Sequence, residues 1–197
     1  MTPSRLILAS SSPFRRELLQ RLGLAFDAVA ADVDESPLPN EPPADLVVRL
    51  AQSKARAVAA SHPDALVIGS DQVACINGRV LGKPGDRANA IAQLQQASGQ
   101  TAVFHTGLCL LNAATGRMQA LCEPFKAHFR QLTPQQIAAY VDREQPLNCA
   151  GSFKSEGLGI ALFRRLEGDD PNALIGLPLI RLIDMLAGEG VEVLQQP

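Results

Sequence analysis

A short apolar run, Arg5-Leu6-Ile7-Leu8-Ala9, breaks into three serines, Ser10-Ser11-Ser12, and then into a helical segment from Pro13 to Gly23. This succession of strand, small polar turn and helix constrains the chain more than any other stretch. Ser12 suits an N-cap, Pro13 the first helical position and Gly23 the stop. Leu18, Leu19 and Leu22 give the helix one apolar stripe. Arg15 and Arg16 stand in the first turn, where the helix dipole disfavours cations unless an anion answers them. Two readings stand. The serine hydroxyls, free backbone N–H groups and guanidinium forks form a phosphate cradle, or the arginines are solvated and partly balanced by Glu17.

Phe26–Ala30 reads as a second strand, followed by an acidic knot, Asp32-Val33-Asp34-Glu35, and by Pro37, Pro39, Pro42 and Pro43. The prolines mark a loop. Its acids are solvated unless the loop folds back over the cradle, where they would hold a divalent cation. Ala44–Ser61 is the clearest helix, with Lys54 near its apolar stripe. Lys54 either snorkels to water or points into a cleft. Ala65–Gly69 is a buried strand interrupted by Ser70-Asp71-Gln72 before Val73–Ile76 resumes it. Polar residues there are expensive unless paired or functional. Asp71 is therefore the leading catalytic candidate, ahead of a hydrogen-bonded residue at a β-bulge.

Asn77-Gly78 signals a hairpin, which returns Lys83 beside the strand bearing Asp71. Gly78–Lys83 is not a P-loop: three residues separate Gly78 from Gly82, and Pro84 follows Lys83. A helix is expected over Arg87–Ala97, strands over Thr101–Leu111 and Met118–Arg130, and a Thr133-capped helix over Pro134–Glu144. Cys149–Gly159 is an irregular, glycine-rich stretch in which Lys154 and Glu156 favour a ligand-facing loop over a surface turn. Gly176-Leu177-Pro178 opens a last helix to about Ala187.

The formal net charge of −2 argues against a general polyanion-binding surface, so a phosphate site must be a local cluster. Cys75, Cys109, Cys122 and Cys149 are widely spaced, as are His62, His105 and His128, so neither zinc nor a disulfide framework is suggested. No signal peptide is expected at the N-terminus, and no stretch approaches the ~18 apolar residues of a membrane span. A cytoplasmic protein with no nucleic-acid or membrane partner is expected. Its 197 residues permit one large domain or two lobes, and no composition shift marks a boundary.

Nine short motifs together resemble the Maf family of nucleotide pyrophosphatases, in that family's order and over nearly the whole chain. They are Leu8-Ala9-Ser10-Ser11-Ser12-Pro13 with Arg15-Arg16, Asp34-Glu35, Lys54-Ala55, Gly69-Ser70-Asp71, Gly82-Lys83-Pro84, Ser98-Gly99, Thr106-Gly107, Ala150-Gly151 and Gly176-Leu177-Pro178. The resemblance implies a single domain over residues 1–197. Its implied fold is α/β and inosine-triphosphatase-like: an elongated mixed β-sheet with flanking helices and a cleft between two lobes. It also implies hydrolysis of a nucleoside triphosphate to the monophosphate and pyrophosphate with Mg²⁺ or Mn²⁺. Phe14, Gln72 and Glu156 depart from the commoner pattern of arginine, a small residue (usually threonine) and glutamine. They look like the subfamily acting on 7-methyl-GTP, rather than on dTTP or UTP.

On that resemblance Ser10, Ser12, Arg15, Arg16, Lys54 and Lys83 bind phosphate, and Glu35 and Asp71 hold the metal. Asp71 is the general base, directly or through a metal-bound water, and Phe14, Gln72 and Glu156 select the base. A non-catalytic nucleotide-binding regulator of cell division and a dTTP/UTP pyrophosphatase are the alternatives. The expected partner is a small nucleotide, with a homodimer as the candidate assembly.

Overall fold

The computed structural model describes residues 5–195. Its elements run β1 (Leu6–Leu8), α1 (Pro13–Gln20), β2 (Asp27–Ala28), α2 (Pro43–Ala59), β3 (Leu66–Ile76) and β4 (Arg79–Leu81). They continue with α3 (Arg87–Ala97), β5 (Thr101–Asn112), β6 (Met118–Phe129), α4 (Pro134–Glu144), β7 (Phe163–Glu167) and α5 (Leu179–Ala187). The strands make one mixed sheet in the order β2-β1-β3-β5-β6-β7, with β4 paired to β3. Ile7 lies opposite Asp27 of β2 and Val67 of β3, both parallel to β1. Flanked on both edges, β1 is fully buried, which is why it reads as an unbroken apolar run.

Two compact units divide the chain. The first comprises the described residues of Met1–Gln72, Thr106–Glu123 and Gly176–Pro197, and the second comprises Val73–His105 and Pro124–Ile175. In the first, Ile7, Val67 and Cys109 of the sheet, with Ala9 just past β1, pack with Ala51, Ala55 and Val58 of α2. Small residues let α2 lie almost against the strands. A Cβ on Gly69 would stand 2.0 Å from the Ala51 carbonyl oxygen, and one on Gly107 2.0 Å from that of Val47. α5 is tied to β6 by Arg181 Nε, which donates to Glu123 Oε2 at 2.9 Å.

The core of the second unit is aromatic. Phe153 packs edge-on to Phe104, Phe129 and Phe163, with ring centroids 5.2, 6.0 and 4.8 Å away. Leu94 of α3 and Ile137 and Val141 of α4 complete it. Asn77 and Gly78 take φ of +49° and +76°, as a two-residue hairpin turn requires. α4 starts with a full capping box between Thr133 and Gln136.

Several boundaries differ from expectation. α1 stops at Gln20, and the turn to Gly23 (φ +68°) is not helical. β2 is two residues long. β3 runs unbroken through Ser70-Asp71-Gln72. The edge strand β7, Phe163-Arg164-Arg165-Leu166-Glu167, carries no strong sequence signal because only Phe163 and Leu166 are apolar. Among the described residues no helix is long and apolar enough to cross a membrane.

Candidate active site

The site begins where β1 ends. The Ser10 N–H donates to the Leu8 carbonyl at 2.9 Å and turns the chain. Ser10 Oγ then accepts from the Ser12 N–H at 3.1 Å and from Arg15 Nη1 at 3.4 Å. Ser12 caps α1, its Oγ accepting from the Arg15 N–H at 3.4 Å. Arg15 Nε donates to the Gly176 carbonyl at 2.8 Å, and Ser70 Oγ donates to the same oxygen at 3.0 Å. Gly176 holds that carbonyl in place with φ of +122°, a conformation suited to glycine. One arginine thus joins the serine turn, the start of α1 and the turn before α5. Burial pulls the Arg15 guanidinium below its ordinary pKa, while the charges of Asp71 and Glu35 oppose the shift.

Lys54 lies at the charged centre. It is 7% exposed rather than snorkelling to water. Its Nζ stands 2.6 Å from Asp71 Oδ1 and 2.6 Å from Glu35 Oε1. Asp71 is buried in β3, whereas the Glu35 side chain is 59% exposed on the loop between β2 and α2. The polar run that seemed expensive in a strand is fully answered. Ser70 reaches Gly176, Asp71 reaches Lys54, and Gln72 Nε2 donates to the buried Thr106 Oγ1 at 2.9 Å.

The remaining candidates sit as follows. Phe14 is half-buried in the first turn of α1. Arg16 is exposed and borders a shallow groove of about 400 Å³ with Gln20, Leu24, Ala25, Phe26, Asp27 and Ala28, none of which belongs to the Lys54 cluster. Lys83 and Glu156 belong to the second unit, and both are exposed. Lys83 favours the thiolate of Cys149 electrostatically, although burial raises that thiol's pKa. Glu156 Oε2 accepts from Ser155 Oγ at 3.2 Å, and Lys154 Nζ donates to the Glu144 carbonyl at 2.8 Å.

Arg49 and Glu41 were missed in the sequence. Arg49 Nε and Nη2 donate to Glu41 Oε1 and Oε2 at 2.6 and 2.8 Å, and Nη2 also donates to the Ser36 carbonyl at 3.0 Å. The guanidinium brings the Glu41 carboxyl down to about 2. Their only sequence signal is an acid before, and an arginine within, the helix that follows the proline loop.

Two carboxylates converging on one ammonium can equally converge on a divalent cation. Both supply hard oxygen donors, and Mg²⁺ is commonly bound by one or two carboxylates together with substrate phosphates. Among the described residues no group of three or more His, Cys, Asp or Glu could hold a metal alone. Asp71 and Glu35 are the residues that could hold such a cation, with its remaining positions left to other oxygen donors.

The family model described as Maf-like protein matches residues 5–189. This chain belongs to the Maf-like family. Relatives named 7-methyl-GTP pyrophosphatase include one from Nitrosococcus oceani, 60% identical over 98% of this chain and 96% of its own length. One from Alcanivorax borkumensis is 62% identical over 98% and 97%, and one from Pseudomonas aeruginosa is 57% identical over 95% and 98%. The Staphylococcus aureus Ham1 protein superposes with a TM-score of 0.55 at 15% identity, covering 94% of this chain and all of that one. That likeness concerns the fold: the Maf-like chain has the mixed sheet and flanking helices of the Ham1 type.

Proposed function

We propose that this Maf-like chain hydrolyses 7-methyl-GTP to 7-methyl-GMP and pyrophosphate, and so removes a modified nucleotide. The observation that carries the reading is the convergence of Asp71 and Glu35 on a buried Lys54, beside the Ser10–Arg15 turn. The names of the relatives supply the substrate.

Cleavage next to the α-phosphorus places charge on phosphoryl oxygens, and fixed donors stabilise that charge. Arg15 and Lys54 are already partly desolvated, so little reorganisation accompanies charge development. Ser10 and Ser12 add short polar donors at the start of α1, where the helix dipole also favours an anion. Lys83 completes the proposed phosphate contacts, and Arg16 remains a candidate at the rim of α1. Asp71 accepts the proton of the attacking water. Glu35 and Asp71 would hold Mg²⁺ or Mn²⁺, which would supply positive charge to offset that on the phosphoryl group.

Base selection follows from side-chain chemistry. Methylation makes the guanine ring cationic, which favours the aromatic face of Phe14 over the arginine common in the family. The guanine edge offers two adjacent N–H donors, which the Glu156 carboxylate can accept, and its charge favours the cationic ring. The amide of Gln72 is oriented by Thr106. Residues 1–197 act as one functional domain, in the cytoplasm and on a free nucleotide.

A panel of 7-methyl-GTP, GTP, dTTP and UTP with Mg²⁺ or Mn²⁺ tests it. Preferred turnover of 7-methyl-GTP with pyrophosphate as product is expected. Preference for dTTP or UTP would overturn the substrate, and binding without turnover would make the protein a regulator.

A further inference from the structure

The proposed metal and phosphate chemistry needs Glu35 in a fixed place, yet its side chain is mostly exposed and the residue itself lies outside any strand or helix. Within the loop, Pro37, Pro39 and Pro42 have no N–H to donate. The tie comes from α2 instead. Arg49 grips the Glu41 carboxylate with two nitrogens and the Ser36 carbonyl with one. Glu41 Oε2 accepts from the Leu38 N–H at 2.9 Å as well, which folds the loop onto the pair. The Glu41 side chain is 7% exposed, so this is a packed contact rather than a solvated one. Lys54 lies five residues further along the same helix, about 7.5 Å along its axis, and holds Glu35 directly. One helix therefore anchors the loop on both sides of Ser36.

We infer that Arg49 is a positioning residue for hydrolysis: its fork on Glu41 and Ser36 fixes the acidic loop so that Glu35 is presented to the metal and phosphates beside Asp71. The inference rests on the phosphohydrolase reading above. It requires the planar fork, because a lysine at this position keeps the charge but cannot make all three bonds.

The test is a double-mutant cycle with Arg49→Lys and Glu35→Gln, with Glu41→Gln as a second way of loosening the grip. Hydrogen exchange at the Leu38 amide is measured alongside in the substrate-free protein. If Arg49 acts through Glu35, Arg49→Lys lowers kcat by about tenfold or more in the parent and raises the half-saturating Mn²⁺ concentration. In the Glu35→Gln background the same change lowers kcat by less than about twofold. Leu38 exchanges faster in both Arg49→Lys and Glu41→Gln. Equal losses of kcat in the two backgrounds, or unchanged Leu38 exchange, would overturn the assignment. Failure of the parent to hydrolyse 7-methyl-GTP would overturn the substrate reading alone. The cycle is then run on the nucleotide the parent does hydrolyse, and the exchange measurement needs no turnover.

Discussion

Replacing Gly69 by Ala should damage stability and catalysis together, because one close contact sets both. The added Cβ would lie 2.0 Å from the Ala51 carbonyl oxygen and 3.1 Å from the Ala55 nitrogen, all of it rigid backbone. Relief requires α2 to move off β3 by about 1 Å or more, a gap that already forfeits much of each dispersion contact it opens. The strip affected includes Val47, Leu50, Ala51 and Ala55, all 2% exposed or less. Overpacking of this kind costs about 1–3 kcal/mol. At roughly 2–4 °C per kcal/mol for a chain of this size, the melting temperature should fall by about 2–12 °C. Lys54 lies one turn beyond Ala51, so the same shift stretches its 2.6 Å contact to Asp71 of β3, while the Glu35 loop, tied to α2 by Arg49, moves with the helix. A displacement of that size should lower kcat by about tenfold to a hundredfold. Gly82→Ala is the control for stability, since a Cβ there meets nothing within 4 Å and its φ is not positive. Thermal melts and initial rates of the two variants decide the matter. A Gly69→Ala protein that melts within a degree of the parent would refute the close-approach argument.

Arg15→Ala should lower kcat more than it raises KM, because the phosphate contact strengthens in the transition state; equal small changes in steady-state kinetics would place Arg15 outside the reaction. Exchanging Phe14 for Arg, Gln72 for Thr and Glu156 for Gln together should move activity from 7-methyl-GTP toward dTTP and UTP in competition assays. An unchanged preference would show that these positions do not select the base. The Glu41 carboxyl falls from the ordinary 4.5 to about 2 in the folded protein. Its contribution to stability is therefore complete above about pH 5 and is lost as the pH falls from there toward 2. Denaturant melts should show Glu41→Gln less stable than the parent at pH 7, with the difference shrinking below pH 4.5.

What the sequence revealed was local. The Asn77-Gly78 turn, the Thr133 cap and the apolar period of α2 each depend on neighbouring residues, and each appears where expected. What it hid depends on distant partners. Ser70-Asp71-Gln72 looked like an interruption because its partners, Gly176, Lys54 and Thr106, are remote in the chain. In the three-dimensional fold those bonds let β3 continue. Phe153 lay inside a loop that looked ligand-facing, yet it is the hub of an aromatic core. Arg49 was indistinguishable from any exposed helix arginine until the proline loop folded beneath it. Ser10, Ser12, Arg15, Lys54, Glu35 and Asp71 were legible as candidates from residue type and resemblance, but their shared bonds were not.

The most direct test compares the parent with Asp71→Asn, following the products formed from 7-methyl-GTP in ¹⁸O-labelled water. The account predicts pyrophosphate and ¹⁸O-labelled 7-methyl-GMP from the parent, and no measurable turnover by a folded Asp71→Asn protein. Release of orthophosphate by the parent, or near-parent turnover by Asp71→Asn, would contradict it.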